Sequence, residues 1–166
     1  ASSILVGGKN SPLFKELVYE KQIATSVSAF YYDREIAGMF IVTVDVAASE
    51  DPIEVEREMD NVLQTFIQKG PNRKLLNAEK TKALASFIRG AQRIGGFGGK
   101  SDLLATCQTY TGNPGCYINN AKYIDESTSA KIKSTFSKWI DNAPYVLTIL
   151  PSDKLATNES TVDRSI

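Results

Sequence analysis

The sequence predicts an α+β fold, an antiparallel sheet backed by helices, on three observations. Two β-rich stretches are separated by a short polar link, several longer stretches carry apolar residues at helical spacing, and 42% hydrophobic content in 166 residues is enough for one real core. Two full domains would be cramped in that length.

The elements follow in order. Residues 1–6 are short and apolar and run into Gly7-Gly8, the pairing of a helix that ends at a glycine stop. Ser11-Pro12 reads as an N-cap with a first-turn proline, opening a helix through Leu13, Phe14 and Leu17 to about Gln22. Val27, Ala29 and Tyr31 then alternate with Ser26, Ser28 and Phe30, and residues 38–46 repeat the pattern with Phe40, Val42 and Val44. The Asp33-Arg34-Glu35 link makes these two strands an antiparallel pair. After Asp51-Pro52 comes the clearest helix, with Val55, Met59, Val62, Leu63, Phe66 and Ile67 on one face and Gly70-Pro71 as its stop. A second long helix is predicted over 72–94, with Leu76, Leu84, Phe87, Ile88 and Ala91 inward.

Beyond a glycine-rich turn, residues 100–110 read as helix again, and Asn113-Pro114 opens a short helix to about Tyr123. Ile132, Phe136, Trp139 and Ile140 mark a last amphipathic helix. Residues 145–150 read as a closing strand, and 152–166 as a polar linker or tail with almost nothing to bury. Because a two-stranded ribbon is marginal alone, the pattern implies further strands before Ala1 and a domain truncated at its start.

Composition excludes several functions. Nineteen basic and nineteen acidic side chains cancel, so the long-range field that draws a protein onto nucleic acid is missing. No apolar run approaches the roughly 20 residues of a spanning helix, and the first residues lack the basic and apolar regions of a signal peptide. Histidine is absent, which removes the commonest general base and the commonest zinc ligand together. Cys107 and Cys116 alone do not complete a four-ligand structural metal site.

Four motifs invite a chemical reading. Gly95-Gly96-Phe97-Gly98-Gly99-Lys100-Ser101 ends like a phosphate-binding loop, yet Ile94 stands where the first glycine belongs and a helix pattern precedes it instead of a strand. A helix-to-helix turn is the better reading. Glu50, Asp51, Glu54, Glu56 and Glu58 cluster, but negative charge in the first turns of a helix complements its dipole, and no nucleophile or base stands beside them. A turn at 112–115 would bring Cys107 and Cys116 within bonding range; two free core cysteines are the alternative. Lys69, Arg73, Lys74, Lys80, Lys82, Arg89, Arg93 and Lys100 read as a solvated face, from which Arg89 and Arg93, close to the glycine loop, are candidate substrate contacts. No residue is assigned a catalytic, cofactor-binding or metal-binding role.

Taken as an ordered series, these segments resemble a known family. Asn10-Ser11-Pro12-Leu13-Phe14-Lys15-Glu16-Leu17, followed by Ile23-Ala24-Thr25-Ser26-Val27, is similar to the "Ser-x-Leu-(Tyr/Phe)-x-x-Leu" helix and "Leu-Ala-x-Ser-Val" strand of the M16 (pitrilysin/insulinase) zinc peptidases. Asn77-Ala78-Glu79-Lys80 stands where that family often has "Glu-Leu-x-x-Ala-Lys". Residues 94–105 resemble a stretch of the double-length bacterial members, and Val146-Leu147-Thr148-Ile149-Leu150-Pro151 their closing strand. Val162-Asp163-Arg164-Ser165 is similar to the linker between their two halves.

The resemblance implies a LuxS/MPP-like metallohydrolase domain over 1–151, the second and non-catalytic one, with residues 152–166 as linker. It implies no cofactor in this chain and zinc in an upstream domain, held by a His-x-x-Glu-His motif that a chain without histidine does not contain. The implied partners are that zinc-binding domain, the other M16 domains of the same protein and a peptide substrate enclosed between paired halves. The implied compartment is the periplasm. Where some family domains present arginine and tyrosine to substrate, Val18 and Thr25 stand, so neither role is carried over. The alternative function is a zinc-free assembly module of the same fold; a free-standing small enzyme has no constellation to support it.

Overall fold

β-Branched and aromatic residues crowd positions 24–46, and the computed structural model, which describes residues 2–34, 36–140 and 144–151, folds them into one antiparallel hairpin. Strand β1 (Ala24–Asp33) pairs with β2 (Gly38–Val46), placing Val27 opposite Val44, Ala29 opposite Val42 and Tyr31 opposite Phe40, with an irregularity between Ala24 and Ser26. Side chains alternate across a strand, so register alone divides the ribbon into two faces. Val27, Phe40, Val42 and Val44 turn toward the core; Ser26, Ser28, Phe30 and Tyr32, with Met39, Ile41, Thr43 and Asp45, make the other face.

Helices cover the first face. The short α1 (Ser2–Val6) packs Ile4 and Leu5 against β1. A π-helix (Phe14–Glu20) follows, its wider turn visible in the Lys21 amide bonding the Glu16 carbonyl five residues back at 3.0 Å, and it buries Leu17. Ser11 supplies the carbonyl that starts this coil, accepting from the Lys15 amide at 2.9 Å, but its hydroxyl donates backward to the Gly8 carbonyl at 2.5 Å. The expected side-chain N-cap is therefore replaced by a link that ties the buried Ser11 to the preceding turn.

Helix α2 (Pro52–Lys69) has the ends its sequence announces. Asp51 Oδ1 accepts from the Ile53 amide at 3.0 Å, and Gly70, at φ 72°, closes the other end. Val55, Phe66 and Ile67 are buried, with Met59, Val62 and Leu63 partly buried behind them. Helix α3 (Arg73–Gln92) is capped by Asn72, whose Oδ1 accepts from the Lys74 amide at 2.8 Å. It ends two residues before the expected boundary, and only Leu76 among the predicted inward residues is fully buried. Phe87 instead stacks on Tyr117, with centroids 6.1 Å apart, and Ile88 is exposed.

Helices α4 (Lys100–Thr111) and α5 (Ile118–Asp125) pack on α3, and α6 (Ser129–Trp139) returns to α2. Asn113-Pro114 begins a turn, and α5 starts only at Ile118. Phe136 of α6 is 4% exposed and meets both Phe40 and Phe66 edge-on. Trp139, expected inward, is 66% exposed, with the Lys138 ammonium 4.9 Å from its ring centroid. The closing strand over 145–150 is not formed: the described sheet holds β1 and β2 only, and the segment carries its apolar side chains exposed. A strand needs a ladder partner, and alternation of side chains cannot supply one. The polar tail of 152–166 lies outside the described residues.

Candidate functional site

Three surfaces qualify as sites by exposure and chemistry. The first is the outward face of the ribbon, which has two halves. At one end Ser26 Oγ contacts Asp45 Oδ2 at 2.5 Å and Ser28 Oγ contacts Thr43 Oγ1 at 2.5 Å, so the polar side chains satisfy one another across the strands. At the other end Phe30 and Tyr32, 44% and 42% exposed, stand opposite Ile41 and Met39. The Arg34 guanidinium lies over the Tyr32 ring at 4.4 Å. Each strand has a ladder neighbour on one side only among the described residues.

The second is the turn between α3 and α4. Gly96 and Gly98 take φ of 81° and 70°, the left-handed region that glycine enters without steric cost. The amides of residues 98–101, where the motif's Gly-Lys-Ser would meet phosphate, are already spent. Gly98 N–H donates to Asp102 Oδ2 at 2.9 Å, Gly99 N–H to the Gly96 carbonyl at 3.0 Å, Lys100 N–H to the Arg93 carbonyl at 2.6 Å and Ser101 N–H to the Ile94 carbonyl at 3.3 Å. A phosphate cradle requires these donors free, so the loop folds as a helix-to-helix turn. Arg93 Nη2 donates to the Phe97 carbonyl at 2.9 Å, and Phe97 itself stands 98% exposed at the tip. Arg89 and Arg93, singled out in the sequence, come together with Ser86 and Gly90 around a cavity of about 310 Å³.

The third is a cleft of about 440 Å³ between the π-helix and α2, lined among others by Lys15, Glu16, Glu58, Asn61, Phe66 and Leu75. Lys21 bridges its rim, donating to Glu58 at 2.5 Å and lying 3.5 Å from Glu16. The hydrogen bond to Glu58, with the two negative charges, raises the Lys21 ammonium above its ordinary value. The reciprocal bond from Lys21 lowers the Glu58 carboxyl.

The remaining sequence candidates are ordinary. Asp51 caps α2, Glu54 pairs with Arg57 at 3.1 Å, and Lys82 pairs with Glu79 at 2.6 Å. The Lys80 ammonium is taken up by the Asp125 and Ser127 carbonyls at the end of α5. Cys107 and Cys116 are joined by a disulfide that ties α4 to the turn before α5, with Cα atoms 5.4 Å apart. Among the described residues no cluster of three or more histidine, cysteine or carboxylate side chains could hold a metal ion, and no helix is long and apolar enough to cross a membrane. The aromatic half of the ribbon face was not singled out because Phe30, Tyr32, Met39 and Ile41 carry apolar residues through the solvent positions, as in a strand covered on both sides.

The profile of the peptidase M16 inactive domain matches residues 1–83, half of the chain. The chain belongs to the peptidase M16 inactive-domain family. No curated protein sequence matches it. Solved structures share the M16 fold at low identity. A candidate zinc protease from Bordetella pertussis Tohama I superposes with a TM-score of 0.67 at 14% identity, covering 80% of this chain and 71% of that one. The peptidase M16 inactive domain from Pseudomonas fluorescens gives 0.65 at 17% identity, with 82% and 32% covered. A protease from Helicobacter pylori gives 0.71 at 16% identity, with 84% and 33% covered. This M16 domain thus spans about a third of the length of the Pseudomonas and Helicobacter chains.

Proposed function

We propose that the chain is a wall of the substrate chamber in a zinc metalloendopeptidase of the M16 family, enclosing unfolded peptide while a separate upstream domain carries the metal. The observation that supports this most is the open face of the β1–β2 ribbon, with its aromatic half at Phe30, Tyr32 and Met39 and strands that are bonded on one side only among the described residues. An extended peptide adding to such an edge gains main-chain hydrogen bonds that do not depend on sequence, and alternate side chains reach the aromatic half. That combination suits a protease of varied peptides. The wall's share of catalysis is to position the scissile bond, the chemistry lying with the zinc-bound water elsewhere.

The absence of histidine from the sequence agrees with metal chemistry outside this chain. The Cys107–Cys116 disulfide favours an oxidising compartment, and with the family likeness we place the protein in the periplasm.

The test compares zinc content and peptide hydrolysis of the 166-residue chain with those of the same chain joined to its upstream zinc-motif domain. Zinc uptake and cleavage by the joined protein alone, with kcat/KM reduced by Phe30→Ser/Tyr32→Ser, is the expected result. Stoichiometric zinc or cleavage in the short chain alone would refute the reading. A joined protein that neither binds zinc nor cuts would instead make the chain part of a zinc-free scaffold.

A further inference from the structure

Ser86, Arg89, Gly90 and Arg93 occupy positions i, i+3, i+4 and i+7 of α3 and its C-cap, which places them on one side of the helix. They line the cavity of about 310 Å³, and none of the lining residues is acidic. Two guanidiniums four residues apart repel each other. The partial negative charge at the C-terminal end of α3 amounts to about half a charge and offsets only part of that.

Among the described residues neither guanidinium makes an ion pair. Arg89 has no hydrogen-bond or ion-pair partner among the described residues. Arg93 spends one donor on the Phe97 carbonyl, which fixes the side chain and leaves its other N–H groups free. Asp102, in the first turn of α4, is engaged with the Gly98 amide. Gly90 forms the floor: a Cβ there would meet only the Gly98 carbonyl at 3.9 Å, so the position has room that no side chain fills. Phe97 and Ile94 stand exposed on the adjoining loop.

We infer that Ser86, Arg89 and Arg93 form a carboxylate-binding site that holds an acidic group of a bound peptide, with Ile94 and Phe97 meeting the neighbouring apolar side chain. This rests on the chamber-wall reading and adds to it a preference for negatively charged peptide. Arginine matches a carboxylate in two parallel N–H to oxygen bonds, a geometry that a lysine cluster does not provide. The Ser86 hydroxyl adds a further donor. The acidic group is either the terminal α-carboxylate or an aspartate or glutamate side chain, and the two differ only in where along the peptide the charge lies.

The experiment titrates the 166-residue chain with three fluorescein-labelled unstructured peptides of one sequence, read by anisotropy. One ends in a free carboxylate, one in a neutral amide, and one in an amide with an aspartate replacing an interior residue. The free acid or the aspartate peptide is expected to bind about tenfold tighter than the neutral amide, the size of one charge-assisted interaction. That advantage should vanish in Arg89→Gln/Arg93→Gln and persist in Lys9→Gln, with circular dichroism verifying that each variant is folded. Equal binding of all three peptides would overturn the site and leave the wall reading standing, whereas no binding by any of them would overturn both. An advantage that survives the double substitution, or a single-stranded oligonucleotide binding tighter than any peptide, would also overturn it.

Discussion

Phe136 on α6 lies edge-on to Phe40 on β2, the ring centroids 5.3 Å apart and the planes at 76°. Phe66 of α2 meets the same ring from another side at 5.1 Å and 69°. One side chain from α6 therefore joins the sheet to α2, and edge-to-face geometry adds to the area it buries.

Phe136→Ala should cost about 3–5 kcal/mol, since it removes a buried ring and leaves a cavity between three elements. Trp139→Ala, three residues on and mostly exposed, should stay within about 0.5 kcal/mol. Urea unfolding of the two variants checks the contrast; similar costs would mean that α6 packs through a different face.

The Lys21–Glu58 pair predicts a pH dependence at both ends of the scale. Glu58 has its folded pKa lowered, so its stabilisation is present above the ordinary value of 4.5 and is lost as pH falls through the depressed folded value. Lys21 has its folded pKa raised, so its share is complete below 10.5 and is lost as pH rises through the folded value. Glu58→Gln should flatten the acid limb of a melting-temperature profile measured against pH, and an unchanged limb would mean the pair is not formed in solution.

Gly90 and Gly98 should respond to alanine with opposite signs. Gly90 is helical, and its new methyl would make only ordinary contact, so Gly90→Ala should stabilise by about 0.5–1 kcal/mol. Gly98 sits at φ 70°, where an L side chain is strained, so Gly98→Ala should cost about 1 kcal/mol. Thermal melts of both variants decide it.

Replacing Cys107 and Cys116 by serine should destabilise the folded chain by about 2–3 kcal/mol, the loop-closure value for a bridge over a sequence separation of nine. Denaturation with and without reductant gives the same information, and the ribbon's circular dichroism should be unchanged because the bridge lies in the α4–α5 corner.

Asp51-Pro52 and Gly70 bracket α2 so firmly in the sequence that both its ends and its buried face could be read there. The antiparallel pairing of the hairpin was legible too, because alternation at Val27 and Ala29 and at Phe40, Val42 and Val44 fixes the inward face and the short link at Asp33-Arg34-Glu35 fixes the direction. Ile88 and Trp139 show where periodicity misleads, because it marks an apolar face without saying whether any neighbour arrives to cover it. Ser11 stands directly before the helical Pro12, as its sequence position indicates, but local sequence does not show that its hydroxyl turns back to the Gly8 carbonyl. Arg89 and Arg93 were singled out for their closeness to the glycine loop, whereas the cavity they line is formed by one side of α3 with Ser86 and Gly90. Residues 145–150 have the composition of a strand and no ladder to join among the described residues.

The one-sided pairing of the ribbon also governs how this polypeptide behaves at high concentration. Its strands offer rows of hydrogen-bonding groups to any copy that drifts alongside, and the exposed Val146, Leu147, Ile149 and Leu150 offer apolar β-forming surface for the same purpose. Repulsion between copies is weakest near the isoelectric point of about 6.6, where net charge vanishes. Self-association should therefore peak just below neutrality and fade on either side, so light scattering across that pH range would locate the useful buffers before any crystallisation or titration is attempted.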